Sequence, residues 1–121
     1  MDKNIHKSVK GESEDALQQK CYFWFHNNYP ALRGLLFHVP NGGARNAREA
    51  MKFKMIGLVP GVADLLLMFQ GSVICFELKT SVGKQSKVQL GWQGKVEEQG
   101  FPYYIIRSLD EFQKIVKKVI L

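Results

Sequence analysis

Apolar residues fall along this chain in two rhythms, a helical spacing of three to four residues and short unbroken runs, and their alternation predicts the element order. Over residues 12–28, Leu17, Cys21 and Trp24 stand at i, i+4 and i+7 on one stripe, which predicts an amphipathic helix. Residues 35–39, Leu-Leu-Phe-His-Val, predict a strand ended by Pro40, and the polar loop Asn41-Gly42-Gly43 follows. A second helix is predicted over about 45–56, terminated by Gly57. Two apolar runs, 64–69 and 73–79, flank Gln70-Gly71-Ser72 and predict a hairpin. Ser86 opens a helix that runs to Gln99 and stops at Gly100, with Val88, Trp92 and Val96 on one face as predicted core. Residues 103–107 predict a strand, and Ser108-Leu109-Asp110-Glu111 has capping-box form at the start of a last helix. The order αβαββαβα predicts an α/β fold, a mixed central β-sheet flanked by helices.

Length and charge narrow the class. A chain of 121 residues with 45% apolar residues suits one core, expected over 11–121, with the polar residues 1–10 as a flexible lead. No run approaches the about 18 apolar residues of a membrane span, and Met1-Asp2-Lys3-Asn4 lacks a signal-peptide core, so a cytoplasmic protein without membrane contact is expected. Cys21 and Cys75 fall in predicted buried positions and read as small core hydrophobes. The net charge is +6, unevenly spread. From Ala16 to Arg48 the chain carries Lys20, Arg33, Arg45 and Arg48 without a carboxylate; from Leu78 to Val96 it carries Lys79, Lys84, Lys87 and Lys95 without one. Acid-free segments of this kind suit a phosphate backbone. Lys114, Lys117 and Lys118 are expected on the outer face of the last helix.

The hairpin carries the chemistry. Asp64 begins its first arm and Glu77-Leu78-Lys79 ends its second. If Gln70 and Gly71 form the loop, Asp64 lies opposite Glu77; if Gly71 and Ser72 do, it lies opposite Lys79. Either way the period of two leaves Asp64, Glu77 and Lys79 on one face of the sheet. Two carboxylates facing each other at roughly 5 Å destabilise a sheet unless something offsets them. A hard cation such as Mg2+ does so, taking oxygen ligands at about 2.0–2.1 Å, with the Leu78 carbonyl as a further donor. Lys79 brings an ammonium that can orient water or neutralise a phosphate oxygen. A plain hairpin with exposed polar ends is the competing reading, and the apolar neighbours on both faces argue against it.

Asp64 followed by Glu77-x-Lys79 resembles the PD-(D/E)xK nuclease superfamily, and the rest of the chain is similar to its VRR-NUC branch, virus-type replication-repair nucleases found as stand-alone phage proteins. The resemblance spans residues 12–108 through Glu14 with Gln18, Asn41-Gly42-Gly43-x-Arg45, the run 57–64, Glu77-x-Lys79 and Gln89. In one departure Ala63 stands where a proline commonly precedes the aspartate, with Pro60 upstream. The resemblance implies a restriction-endonuclease-like core and Mg2+- or Mn2+-dependent cleavage of DNA. It implies Asp64, Glu77, Leu78 and Glu14 as metal ligands and Lys79 and Gln89 as catalytic partners. Asn41, Arg45, Arg48, Lys84 and Lys87 become candidate DNA contacts. Stand-alone members resemble junction resolvases, so the expected function is a homodimeric Holliday-junction resolvase-like endonuclease acting on branched DNA in the host cell of a phage or prophage. A flap or nicking nuclease and a catalytically inert DNA-binding module of the same fold are the alternatives, separated by metal dependence.

Several candidates have a competing structural use. Glu14 near a helix N-terminus is favourable there without any site. Ser86-x-x-Gln89 is itself a capping box, which would engage the Gln89 amide; Gln93 lies one turn on. Asn41–Arg45 reads as a phosphate-contacting loop or as a turn before a helix. His38, at a strand end, reads as a structural group before a general base.

Overall fold

The computed structural model describes residues 11–40 and 42–121, so the expected flexible lead at 1–10 and the candidate contact Asn41 lie outside the described residues. Helix α1, Glu14–Asn28, starts where Ser13 Oγ accepts the Ala16 N–H at 3.0 Å, with Glu14 and Asp15 in its first turn. Strand β1 is Leu36–His38 and helix α2 is Ala47–Met55, capped by Asn46. Strands β2 (Leu65–Phe69) and β3 (Ser72–Leu78) form the hairpin, α3 is Lys87–Glu98, β4 is Tyr103–Ile106 and α4 is Leu109–Ile120. A short 3-10 turn, Pro30–Leu32, is the one addition to the predicted order among the described residues.

The four strands lie in chain order, β1-β2-β3-β4. The first three are antiparallel and β4 is parallel to β3, joined to it through α3 as a parallel crossover requires. The predicted α/β fold with a mixed sheet is therefore the observed one. Phe69 pairs with Ser72, so Gln70 and Gly71 make the turn, both left-handed at φ 47 and 77 as a type I′ hairpin demands.

Alternation sorts each strand between two layers. Leu65, Leu67, Ile74, Phe76 and Leu78 face α1 and α4, where Leu17, Cys21, Phe25, Phe112 and Val116 complete the main core. Phe76 meets Phe112 edge-on at 5.0 Å between ring centres. The buried stripe of α1 thus runs Leu17, Cys21, Phe25, with the predicted Trp24 at its margin against Tyr29 and Phe112. The second face holds Ala63, Cys75 and Tyr103 under Trp92 and Val96 of α3. Both cysteines are free and buried, and burial pushes the Cys21 thiol up to about 12 and that of Cys75 to about 11. Lys114, Lys117 and Lys118 are exposed on α4, as expected.

One predicted core position and one predicted cap change. Val88 is 51% exposed, in the first turn of α3, where its carbonyl and its Cγ1 both come up against Gly61 of the 57–63 loop. Glu111 accepts the Arg107 N–H at 2.7 Å, while Ser108 Oγ caps the Glu111 N–H, so the last helix has a capping residue without the reciprocal bond to it. Helix α2 buries no residue and leaves Met51, Met55 and the following Ile56 exposed.

Gly61 marks where the loop carrying Asp64 leans on α3. Its φ is 84, and a Cβ built there would lie 2.6 Å from the Val88 carbonyl oxygen. Both the left-handed backbone and the close approach exclude a side chain. Gly61→Ala is expected to destabilise the fold by about 1–3 kcal/mol, since the obstructing atom is backbone and cannot rotate away. Chemical denaturation of the two proteins checks this; equal midpoints would mean that the loop shifts freely.

Candidate metal centre

Glu77 lies at the centre of the site, near the end of the central strand. It is 1% exposed, in a strand covered on both faces, so it depends on protein groups rather than bulk water for its polar partners. Continuing the observed pairing of Leu65 with Phe76 by one step puts Asp64 opposite Glu77, the first of the two registers considered from sequence. Asp64 follows the 57–63 loop, and its Oδ2 accepts the Leu78 N–H at 2.8 Å, taking the place of a backbone partner where the β2 ladder ends. Its own carbonyl accepts the Val39 N–H at 3.1 Å, which ties β1 to the same corner.

The two oxygens of Glu77 are unlike. Oε1 accepts the Tyr103 hydroxyl at 2.5 Å and the Gln85 amide at 3.1 Å. The Gln85 amide also donates to Gln93 Oε1 at 2.8 Å. Oε2 is buried and has no hydrogen-bond partner; Lys79 Nζ stands 3.8 Å from it. The same ammonium is 3.9 Å from Glu14 Oε2. Lys79, whose side chain is 9% exposed, therefore lies between the carboxylate of its strand neighbour Glu77 and that of Glu14 on α1.

Electrostatics at the corner follow from burial. Desolvation pushes the Asp64 carboxyl above its ordinary range; the Leu78 N–H opposes this, nearby Glu77 adds to it, and His38 and Lys79 pull the other way. Burial, with Glu77 next to it, also pushes the Tyr103 phenol up, so the hydroxyl keeps its proton and acts as donor.

The residues present fit a hard divalent cation. A buried carboxylate oxygen without a donor is the group such an ion satisfies. Asp64, Glu77 and the Leu78 carbonyl are the available oxygen donors. Among the described residues no group of three or more His, Cys, Asp or Glu could hold a metal ion, so a cation here would need water or substrate oxygens to complete its coordination.

The other sequence candidates divide. Glu14, with its side chain 44% exposed, stands 3.9 Å from Lys79 Nζ, which brings it to the edge of the site. Gln89 is engaged elsewhere: its Oε1 accepts the Ser86 N–H at 2.8 Å and Ser86 Oγ accepts the Gln89 N–H at 3.2 Å, a complete capping box. Gln93, one turn later, accepts from the Gln85 amide that donates to Glu77. His38 Nδ1 lies 2.8 Å from the Asp64 carbonyl and 3.0 Å from Gln18 Nε2, a structural link between β1, α1 and the Asp64 corner. Arg45 folds back on Glu49 at 3.2 Å, and Arg48 is exposed on α2. Lys84 and Lys87 are exposed on either side of Gln85 and Ser86, in the segment that passes Glu77. Gln85 and Tyr103 escaped the sequence reading. Tyr103 pairs in parallel register with Cys75, which brings its hydroxyl to Glu77, and no local pattern announces that contact.

No protein-family model matches this chain, and no curated protein matches it. Among solved structures, one described as a VRR_NUC domain protein superposes with a TM-score of 0.73 at 19% identity, over 87% of this chain and 85% of that one. A second, described as a VRR_NUC domain, gives a TM-score of 0.58 at 19% identity over 86% and 94%. The chain has the VRR_NUC fold, a restriction-endonuclease-like α/β architecture. No helix among the described residues is long and apolar enough to cross a membrane.

Asp64→Asn tests the cost of the buried charge. Asparagine keeps an oxygen for the Leu78 N–H and removes the ionisation that burial disfavours. An acid whose folded-state value is raised lowers stability above that value and has no effect below its unfolded value near 3.8. In EDTA the variant is therefore expected to unfold at higher temperature than wild type at about pH 7, with the gain vanishing as pH falls toward the ordinary carboxylate range. Thermal melts across pH measure this; a less stable variant at neutral pH would mean that Lys79 and His38 outweigh desolvation.

Proposed function

We propose that the protein is a divalent-metal-dependent DNA endonuclease, a homodimer that cuts branched DNA with four-way junctions as its preferred substrate. One observation carries the reading: Glu77 is buried opposite Asp64 with a partnerless oxygen, beside an ammonium that is itself buried. A carboxylate pair of this kind lowers stability unless a cation completes it. The likeness to two VRR_NUC structures supports the nuclease class through the fold.

Asp64, Glu77 and the Leu78 carbonyl would hold Mg2+ or Mn2+. When bound, such an ion lowers the pKa of water and neutralises charge on the phosphoryl oxygens. The chain supplies the rest. Lys79 Nζ, kept in place by Glu77 and Glu14, orients the attacking water and takes up charge on a non-bridging oxygen. Water adds to phosphorus as the bond to the 3′ oxygen breaks, the proton passes to the leaving oxygen, and a 5′-phosphate and a 3′-hydroxyl result. Exposed Lys84 and Lys87, next to the segment that contacts Glu77, and exposed Arg45 and Arg48 supply positive charge for the DNA backbone. One site cuts one strand, so symmetric incision of a junction needs two copies related by a two-fold axis. The +6 charge and the absence of a membrane-crossing helix among the described residues suit a cytoplasmic enzyme of a phage or prophage.

Cleavage of end-labelled four-way junction and matched linear duplex, in Mg2+, Mn2+ or EDTA, tests this. Paired, metal-dependent incisions in the junction alone are expected. Single cuts in flaps or nicked duplex would replace the resolvase reading, and tight binding without cleavage in either metal would leave a DNA-binding module. Lys79→Ala is expected to lower turnover by roughly 10²–10⁴-fold with junction affinity within a few-fold of wild type; unchanged turnover removes Lys79 from the mechanism.

A further inference from the structure

We propose that Tyr103, Gln85 and Gln93 are positioning residues that hold the Glu77 carboxylate with one oxygen turned to the cation, so that metal affinity is set from β4, the loop after β3 and α3. This inference rests on the metal-nuclease reading of the same site.

A carboxylate at the end of a glutamate turns easily, because its last torsion is broad and two-fold. Left alone, Glu77 would offer either oxygen, or both, to an ion. Here Oε1 is occupied by two donors from different elements, the Tyr103 hydroxyl at 2.5 Å and the Gln85 amide at 3.1 Å. The Gln85 amide has two hydrogens, and the second is spent on Gln93 Oε1 at 2.8 Å, which fixes the plane of that amide from α3. Tyr103 is held as firmly. It pairs in register with Cys75, is 8% exposed, and its ring meets Trp92 edge-on at 6.0 Å. With Oε1 saturated, Oε2 is the oxygen left without a donor, on the side of Lys79. Glu77 therefore binds a cation through a single oxygen whose direction is set before the ion arrives. The entropy of orienting the ligand is met in folding rather than in binding.

Tyr103→Phe keeps the ring and deletes one donor; Gln85→Leu deletes the other, and Gln93→Leu releases the amide that Gln93 holds. Mn2+ binding to the full chain without DNA, measured by calorimetry, is the primary readout, with thermal midpoints in EDTA and in Mn2+ beside it. Tyr103→Phe and Gln85→Leu are each expected to weaken Mn2+ binding by about 10- to 100-fold, and Gln93→Leu by less. Junction cleavage by these variants is expected to recover toward wild type as Mn2+ is raised, whereas Lys79→Ala is not rescued by metal. If Tyr103→Phe does not fold, Gln85→Leu, in a half-exposed loop, carries the test. Wild type that binds Mn2+ and cleaves DNA, with both donor variants binding Mn2+ within about twofold of it, would overturn the positioning role and leave the nuclease intact. Wild type that neither binds Mn2+ nor cleaves in any metal would overturn both.

Discussion

The register of the β2–β3 hairpin is the constraint on which the rest depends. Gln70 and Gly71 turn the chain with both residues left-handed, and a turn of that length puts Phe69 opposite Ser72 and therefore Asp64 opposite Glu77. A slip of one residue would send every side chain of β3 to the other face. Glu77 would then enter the layer of Phe76 and Leu78, and the main core would lose its centre. The apolar alternation and the acidic pair are thus locked to each other. The turn bears some strain for this, since a non-glycine residue occupies a left-handed position at Gln70.

Holding two carboxylates at the end of a buried strand opposes folding, and the structure offsets it locally. Asp64 accepts a backbone N–H that the ladder would otherwise leave open, and Glu77 accepts two side-chain donors on one oxygen. Lys79 supplies the countercharge to the other oxygen without reaching hydrogen-bond distance. What remains is small and specific, one buried oxygen with a countercharge nearby and no hydrogen-bond donor. A site built for a cation and a phosphate should retain such a defect, because filling it with protein donors would remove the place where an ion binds.

The helices divide the labour. α1 and α4 bury the apolar face and carry most of the core, so they set stability. α3 covers the face that holds the site, and it does so sparsely, through Trp92 and Val96 and through the glycine contact at Val88. That sparseness leaves room beside Glu77 for Gln85 and Gln93. α2, with no buried residue, contributes exposed Arg48, with exposed Arg45 just before it, and adds nothing to the core.

Much of this was legible in the residues themselves. Helical and strand spacing, the capping residues Ser86 and Ser108 and the stops Gly57 and Gly100 are local properties of the backbone, and they placed the elements within a few residues of where they lie. The shared face of Asp64, Glu77 and Lys79 also followed, because it needs only a period of two across a short turn. Side chains with two possible partners were not settled locally. Gln89 met its cap, Trp24 ceded the core to Phe25, and Val88 stayed exposed. Gln85 and Tyr103 were invisible in the sequence for a related reason. Their bonds to Glu77 exist only because β4 returns parallel to β3 and α3 crosses above them, and a contact between distant segments is decided by how the layers pack.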